Sequence, residues 1–366
     1  MLTDRLEAIL AQAVAEGITP SAVSQVAIDG DRQPAVVVGD AVRFGPEGTE
    51  LRAPQRTPAS AGTLYDLASV TKVFTAVTAL TLVDAGMLEL DAPLGRWLPG
   101  FRTGGKESAT LRHLMTHTAG LPPVWSGWRA PLESGLSFDR SALLADLIAL
   151  PLAAPPGTVF EYSCVGFNTI MALAEAVTGR VWPELVTERV LDKLPAGLTF
   201  APEHQRCAAT EYQPEFGRQM VRGTVHDESA WALGGAGGNA GLFGTAGAVL
   251  DFGESLRAGL PGILSPGTAA EMWRDQLPQT LGTRVRSGGP GYGHGLGLRI
   301  GQQAWMGRAG ATARGHSGFT GTSFLVDKQA GITVVLLTNR VHPRRDRSDV
   351  QPLRAAIADA VYSSLS

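Results

Sequence analysis

The chain has 366 residues, 44 % of them hydrophobic and 18 % charged, with a formal net charge of −3. That composition describes a globular protein with ample core, a length that a large α/β or α+β fold carries as one unit. A near-neutral balance without a basic run excludes a nucleic-acid footprint and a polybasic membrane patch, and no run of about 18 apolar residues is present to span a bilayer.

The first residues, MLTDRLEAILAQAVAEG, read as an amphipathic helix, with Leu2, Leu6, Ile9, Leu10 and Val14 at helical spacing. A basic start, an uninterrupted apolar stretch and a small-residue cleavage site are all missing there, so a cytoplasmic protein is expected. Two β-branched runs follow, SAVSQVAIDG and PAVVVGD, and their separation by Gly30, Asp31 and Pro34 predicts an antiparallel hairpin. From 67 to 90 the pattern becomes a helix, with Gly86 placed to end it. Residues 107–193 are mostly helical, divided by short Pro/Gly punctuation.

Periodicity fades between about 200 and 225, where polar residues suggest a surface excursion. The glycine-rich stretch 234–247 reads as a tight loop near a site rim, leading into a helix in VLDFGESLRAGL. TSFLVD and ITVVLLTN predict a second hairpin, and PLRAAIADAVYSSL a closing helix. This order predicts a sheet assembled from both chain ends, with a mainly helical part inserted between. The expected boundaries are 1–75 and 290–366 for the sheet domain and 76–289 for the helical one, with a site at the junction.

Three short elements carry chemistry. In Ser69-Val70-Thr71-Lys72, a helix places Ser69 Oγ and Lys72 Nζ on one face, one turn apart. A serine hydroxyl needs a base, and lysine serves only if burial or neighbouring positive charge keeps it partly neutral. If Ser69 starts the helix, its N–H also points outward, ready for an oxyanion. The plainer reading is a serine N-cap and a solvated lysine. Against it, Lys72 sits among Leu67, Val70, Val73 and Phe74, whereas lysine normally marks the wet face. The other lysines, Lys106, Lys193 and Lys328, have no serine three residues before them.

The second element is Glu161-Tyr162-Ser163-Cys164, between a turn and a helix, where a tyrosine could present its phenol to a pocket or simply pack. The third is Gly315-His316-Ser317-Gly318-Phe319, before the second hairpin. Its glycines would let a substrate backbone approach, and His316 would bring a donor or a charge.

In this order and spacing the elements resemble the serine β-lactamases and penicillin-binding proteins, in which S-x-x-K, a second polar motif and a K-T-G-like strand converge on an acyl-transfer site. YDLASVTKVFTA, LRHLMTHTAGLP, PPGTVFEYS and GHSGFTGTSFLVD look most like the class C-like branch, with its carboxylesterases and D-alanyl-peptidases. The resemblance implies a β-lactamase/transpeptidase-like α/β (α+β) fold and a serine hydrolase. Ser69 would be the acylated nucleophile, Lys72 its proton acceptor or relay, and Tyr162 the phenolate-like partner. His316 would supply a hydrogen bond or partial positive charge. The N–H groups of Ser69 and Phe319 would form the oxyanion hole, with Ser317, Gly318 and Cys164 lining the substrate site. No cofactor and no metal is implied, and the partner is a small-molecule ester or amide.

Two departures matter. Cys164 stands where asparagine is usual and is a poor partner for a substrate amide carbonyl. His316 stands where lysine is usual and weakens the charge that would hold a carboxylate. Both favour a carboxylesterase over a D-alanyl-D-alanine carboxypeptidase or a β-lactamase. A non-catalytic ligand-binding protein on this fold is the alternative of another class.

Three other signals carry less. Gly235 to Ala240 matches a dinucleotide pattern without the strand it requires. His113 and His117 lack a third metal ligand, so capping or packing accounts for them. A G-x-S-x-G elbow is missing, since Phe319 takes the final glycine place.

Overall fold

The computed structural model describes residues 1–282 and 292–365. Its main sheet is antiparallel throughout and draws on both parts of the chain. Strands β1 (Ser21–Ile28), β2 (Val36–Val42) and β3 (Thr57–Pro58) come early. Strands β4 (Gly293–His294), β5 (Arg299–Ile300), β6 (Arg314–Ser317), β7 (Ser323–Asp327) and β8 (Ile332–Thr338) come late. Their spatial order is β4-β5-β6-β7-β8-β1-β2-β3, with the short Asp31–Arg32 pair beside the end of β1. The two halves join where β1 meets β8 over seven paired residues, from Ala22↔Thr338 to Ile28↔Ile332. Both expected hairpins are present, the first pairing Ser21 with Gly39 and the second Ser323 with Leu336. The 289/290 boundary expected from the sequence lies outside the described residues.

Strand alternation decides what covers each face. Val23, Val335 and Leu337 face a core shared with α2 (Thr71–Asp84), α3 (Cys164–Thr178) and α4 (Ala246–Arg257). Ala22, Val26, Val334 and Leu336 face the opposite core, closed by α1 (Leu2–Ala15) and α5 (Gln351–Tyr362) through Leu6, Leu10, Ile357 and Val361. Because β8 is covered on both sides, all seven of its residues are buried.

Helix α2 is buried from Thr71 to Leu82, which its sequence permits because, Lys72 apart, its polar groups are threonines whose hydroxyls find hydrogen-bond partners. Thr78 Oγ1 donates to the Phe74 carbonyl at 2.8 Å and Thr75 Oγ1 to the Gly238 carbonyl at 2.7 Å. The helix ends at Asp84, and Gly86, at φ +69°, makes the left-handed turn beyond it. Phe74 stacks on Phe252 of α4 at 4.0 Å, and Phe252 meets Phe324 of β7 edge-on at 5.8 Å. This aromatic ladder ties α2 to the sheet.

Two regions differ from expectation. Residues 209–222 form a separate hairpin, Ala209–Gln213 with Arg218–Arg222, whose polar side chains Thr210, Glu211, Gln213 and Arg218 are buried. They are polar because they pair: Glu211 accepts from His226 Nε2 at 2.8 Å and from Arg345 Nε at 2.7 Å. The glycine-rich stretch is equally a buried packing element, with residues 236–244 covered. A β-carbon on Gly238 would stand 2.1 Å from the Phe167 carbonyl oxygen, so only glycine lets this segment lie against α3. No helix among the described residues is long and apolar enough to cross a membrane.

Candidate active site

Ser69 lies in a single 3-10 turn, Ala68–Val70, and the α-helix proper begins at Thr71. The turn is tight: Ala68 takes φ +46°, a conformation an L side chain adopts only when its surroundings impose it. The buried Asp66 imposes it here. Its carboxylate accepts from Ala68 N–H at 2.8 Å and from His226 N–H at 2.6 Å. Burial pushes the Asp66 carboxyl up from its ordinary range against those bonds. From the other side Thr320 Oγ1 donates to the Asp66 carbonyl at 2.7 Å and Thr322 Oγ1 to that of Leu67 at 3.0 Å. The serine turn is thereby fastened to the loop after β6.

Gly318 makes that approach possible. A β-carbon there would lie 2.3 Å from Thr322 Oγ1 and 2.5 Å from the Leu67 carbonyl oxygen. Among the described residues, no carbonyl or side chain accepts the N–H of Ser69 or of Phe319. Phe319 is half exposed, its ring stacked on His226 at 5.7 Å with the Arg340 guanidinium 4.8 Å from its centroid.

Lys72 is fully buried. Its Nζ donates to Ser69 Oγ at 3.0 Å, to the Asn239 carbonyl at 3.1 Å and to Cys164 Sγ at 3.4 Å. Three acceptors meet the three protons of an ammonium. Burial alone would lower its pKa, but Cys164 and Tyr162, with Asp227 beyond, outweigh burial and hold it above the ordinary value. The expectation of a partly neutral lysine is thus corrected: the acceptors gathered around it favour the charge.

Tyr162 lies just before α3, its hydroxyl buried without a hydrogen-bond partner and its ring centroid 5.1 Å from Lys72 Nζ. His316 lies on β6, fully buried, with its ring 6.1 Å from that of Tyr162. Its Nδ1 is 2.9 Å from the Ser317 carbonyl, which can only accept, so Nδ1 holds the proton and Nε2 offers a lone pair. Burial, then Arg299 and Lys72, hold its pKa well below the ordinary value. The charge or free donor expected of His316 is therefore corrected to a neutral acceptor.

The sequence reading missed three contributors. The Arg299 guanidinium on β5 stands 4.8 Å from the Tyr162 ring centroid. The only hint was a lone arginine in the apolar stretch GLGLRI. Arg354 of α5 donates to the Gly318 carbonyl at 2.7 Å and to that of Thr322 at 2.9 Å, and burial lowers its pKa to about 9. Asn239, whose N–H donates to Asn168 Oδ1 at 3.1 Å, presents its carbonyl to Lys72. Thr110 caps a helix by accepting from the His113 N–H, with His113 Nδ1 accepting from the Thr110 N–H in return, and His117 packs against Tyr162.

Ser69, Tyr162, Ser317, Gly318 and Phe319 line one cleft of about 350 Å³, together with Arg299, Arg340 and Arg354. A larger cleft of about 500 Å³, lined by Glu47, Glu211 and Arg345, contains none of the motif residues. Behind Cys164 a smaller crevice of about 180 Å³ is walled by Val124, Trp125 and Trp128.

A serine–lysine pair at the head of a buried helix, set against strand β6 of an antiparallel sheet, defines the penicillin-recognising serine hydrolases. The chain belongs to the Beta-lactamase family, whose model matches residues 6–359, and it is a serine hydrolase. It is 32 % identical to "Esterase EstB" of Burkholderia gladioli, over 99 % of this chain and 95 % of that protein. It is 30 % identical to a "Putative D-alanyl-D-alanine carboxypeptidase" of Escherichia coli, over 85 % of this chain and 79 % of that protein. Among solved structures, "EstCE1, a hydrolase with promiscuous acyltransferase activity" superposes with a TM-score of 0.76 at 26 % identity, covering 99 % of this chain and 98 % of that one.

Proposed function

We propose that the chain is a carboxylesterase that acts through an acyl-enzyme on Ser69. The observation that carries this reading is the 3.0 Å contact of Ser69 Oγ with Lys72 Nζ beside the unpartnered Tyr162 hydroxyl. In this account Ser69 Oγ attacks the ester carbonyl, and the N–H groups of Ser69 and Phe319 receive the oxyanion. Lys72, held as an ammonium, is the fixed positive charge. The Tyr162 oxygen takes the serine proton as it passes its own to the leaving alkoxide, so the alcohol departs neutral and the acyl group remains on Ser69. Water then enters by the same route in reverse and frees the acid.

Ester preference rests on two positions. Cys164 spends its sulfur on Lys72 and has no amide to offer a peptide carbonyl, and His316 is neutral. The name of the Burkholderia relative agrees. A second reading has its own support. Arg299, Arg340 and Arg354 line the cleft, and they would suit a substrate bearing a carboxylate, as a D-alanyl peptide does. Short p-nitrophenyl esters, a D-Ala-D-Ala peptide and a chromogenic cephalosporin compared on one preparation decide between them. The esters are expected to turn over fastest. Efficient peptide or cephalosporin turnover without ester hydrolysis would overturn the assignment.

A further inference from the structure

Tyr162 belongs to no helix or strand, so something else must fix its phenol. One residue does most of this. The Glu161 N–H donates to the His117 carbonyl at 2.9 Å, and the Ser163 N–H donates to His117 Nδ1 at 3.0 Å. The N–H groups of the two residues that flank Tyr162 are thus held by a single histidine. Its ring also lies on the tyrosine ring, with centroids 4.5 Å apart and planes tilted by 39°.

His117 is itself over-determined. It is buried, packed by Phe167 at 5.1 Å and by His294 at 5.0 Å, and it takes φ +57°. A side chain at that φ persists only where its surroundings require it, and such positions cluster at functional sites. Since Nδ1 accepts from Ser163, the ring proton sits on Nε2. Burial keeps the imidazole neutral, with its pKa well below the ordinary value. An imidazolium would turn Nδ1 into a donor facing the Ser163 N–H and open the clamp.

We propose that His117 is the positioning residue for Tyr162, clamping the backbone on both sides of the tyrosine and setting the plane of its phenol beside Lys72. The proposal rests on Tyr162 taking part in the reaction. A histidine that merely fills the core would need neither the Nδ1 contact nor this tautomer.

The test uses the full chain and p-nitrophenyl butyrate. His117→Gly relieves the φ and keeps the carbonyl, removing only the imidazole. It is expected to lower kcat and the rate of Ser69 labelling by a fluorophosphonate at least tenfold, with KM within about threefold. His117→Asn returns an acceptor near the Nδ1 position on a residue that tolerates positive φ, and is expected to recover most of the lost kcat. A folded His117→Gly protein with kcat within twofold of the parent overturns the proposal, as does an Asn variant that falls equally far. Should His117→Gly not fold, ¹⁵N spectra of the parent protein decide: a bare Nδ1 on His117 supports the clamp, and a protonated Nδ1 overturns it. Tyr162→Phe separates the two levels. If that variant keeps full activity the role of Tyr162 fails; if it loses activity while His117→Gly does not, only the clamp fails.

Discussion

Lys72 Nζ stands 3.0 Å from Ser69 Oγ and directs its other protons to the Asn239 carbonyl and to Cys164 Sγ. The pair is thus a hydroxyl beside a fully accepted ammonium, and the ammonium holds the serine oxygen in place. Lys72→Met is expected to lower kcat for p-nitrophenyl esters by roughly a thousandfold or more, the scale of removing one member of a catalytic unit. Lys72→Arg should not restore it, because a guanidinium has no room in a fully buried site. Steady-state ester kinetics check both variants, and a Lys72→Met protein within tenfold of the parent would be inconsistent with this account.

Gly318 couples the serine turn to the strand that follows the cleft. A methyl at 318 must displace both the Leu67 carbonyl and the Thr322 hydroxyl. Gly318→Ala is expected to cost about 1–3 kcal/mol of stability and to slow labelling of Ser69 more than tenfold. Thermal melts and the labelling time course measure these separately, and unchanged values for both would show that the approach is not needed.

Acid stability follows from the buried histidines. Burial holds His294 and His342 at about 3 and His117 and His316 well below their ordinary value. Below the unfolded histidine pKa of about 6.5, the unfolded chain binds these protons and the folded protein does not, so stability falls as pH falls from there toward about 3. By pH 4.5 the His294 and His342 imidazoles each cost on the order of 2–3 kcal/mol, and His117 and His316 act in the same direction. Glu211, lowered to about 2 with His226 and Arg345 as partners, loses its contribution only below about 4.5, so it does not blur this window. Melts from pH 8 to pH 4.5 should show a steep drop in Tm beginning near pH 6.5. A Tm level down to pH 4.5 would contradict the buried, neutral assignment.

Cys164 tests substrate choice. Cys164→Asn places an amide beside Lys72, at the first residue of α3. It is expected to raise turnover of a D-Ala-D-Ala peptide or a cephalosporin relative to the ester by at least about tenfold, roughly the worth of one added hydrogen bond to a buried carbonyl. If the ratio does not move, the thiol is not what disfavours amides.

Much of this was legible in the sequence, for reasons that can be stated. The hairpins showed because β-branched runs and their turns are local signals, and α2 showed because Lys72 interrupted an apolar helix. The resemblance added the order of Ser69, Tyr162 and His316. The burial of Thr210, Glu211, Gln213 and Arg218 does not show, because Glu211 is acceptable in a core only through His226 and Arg345, which are distant in sequence. The state of Lys72 does not show for the same reason: Cys164 and Tyr162, which hold its charge against burial, are distant in sequence, as is Asn239, whose carbonyl reaches it because Gly238 lies against α3. Arg299 reaches Tyr162 from strand β5 and carries no motif at all.

The central claim is that Ser69 is the acylated nucleophile. Incubating the protein with a fluorophosphonate and locating the adduct by peptide mass spectrometry tests it most directly. One adduct is expected, on Ser69 within the peptide containing Ala68 to Lys72, with loss of ester hydrolysis in proportion to labelling. An adduct on Ser163, Ser317 or any other residue, or full hydrolysis by a stoichiometrically labelled protein, would contradict it.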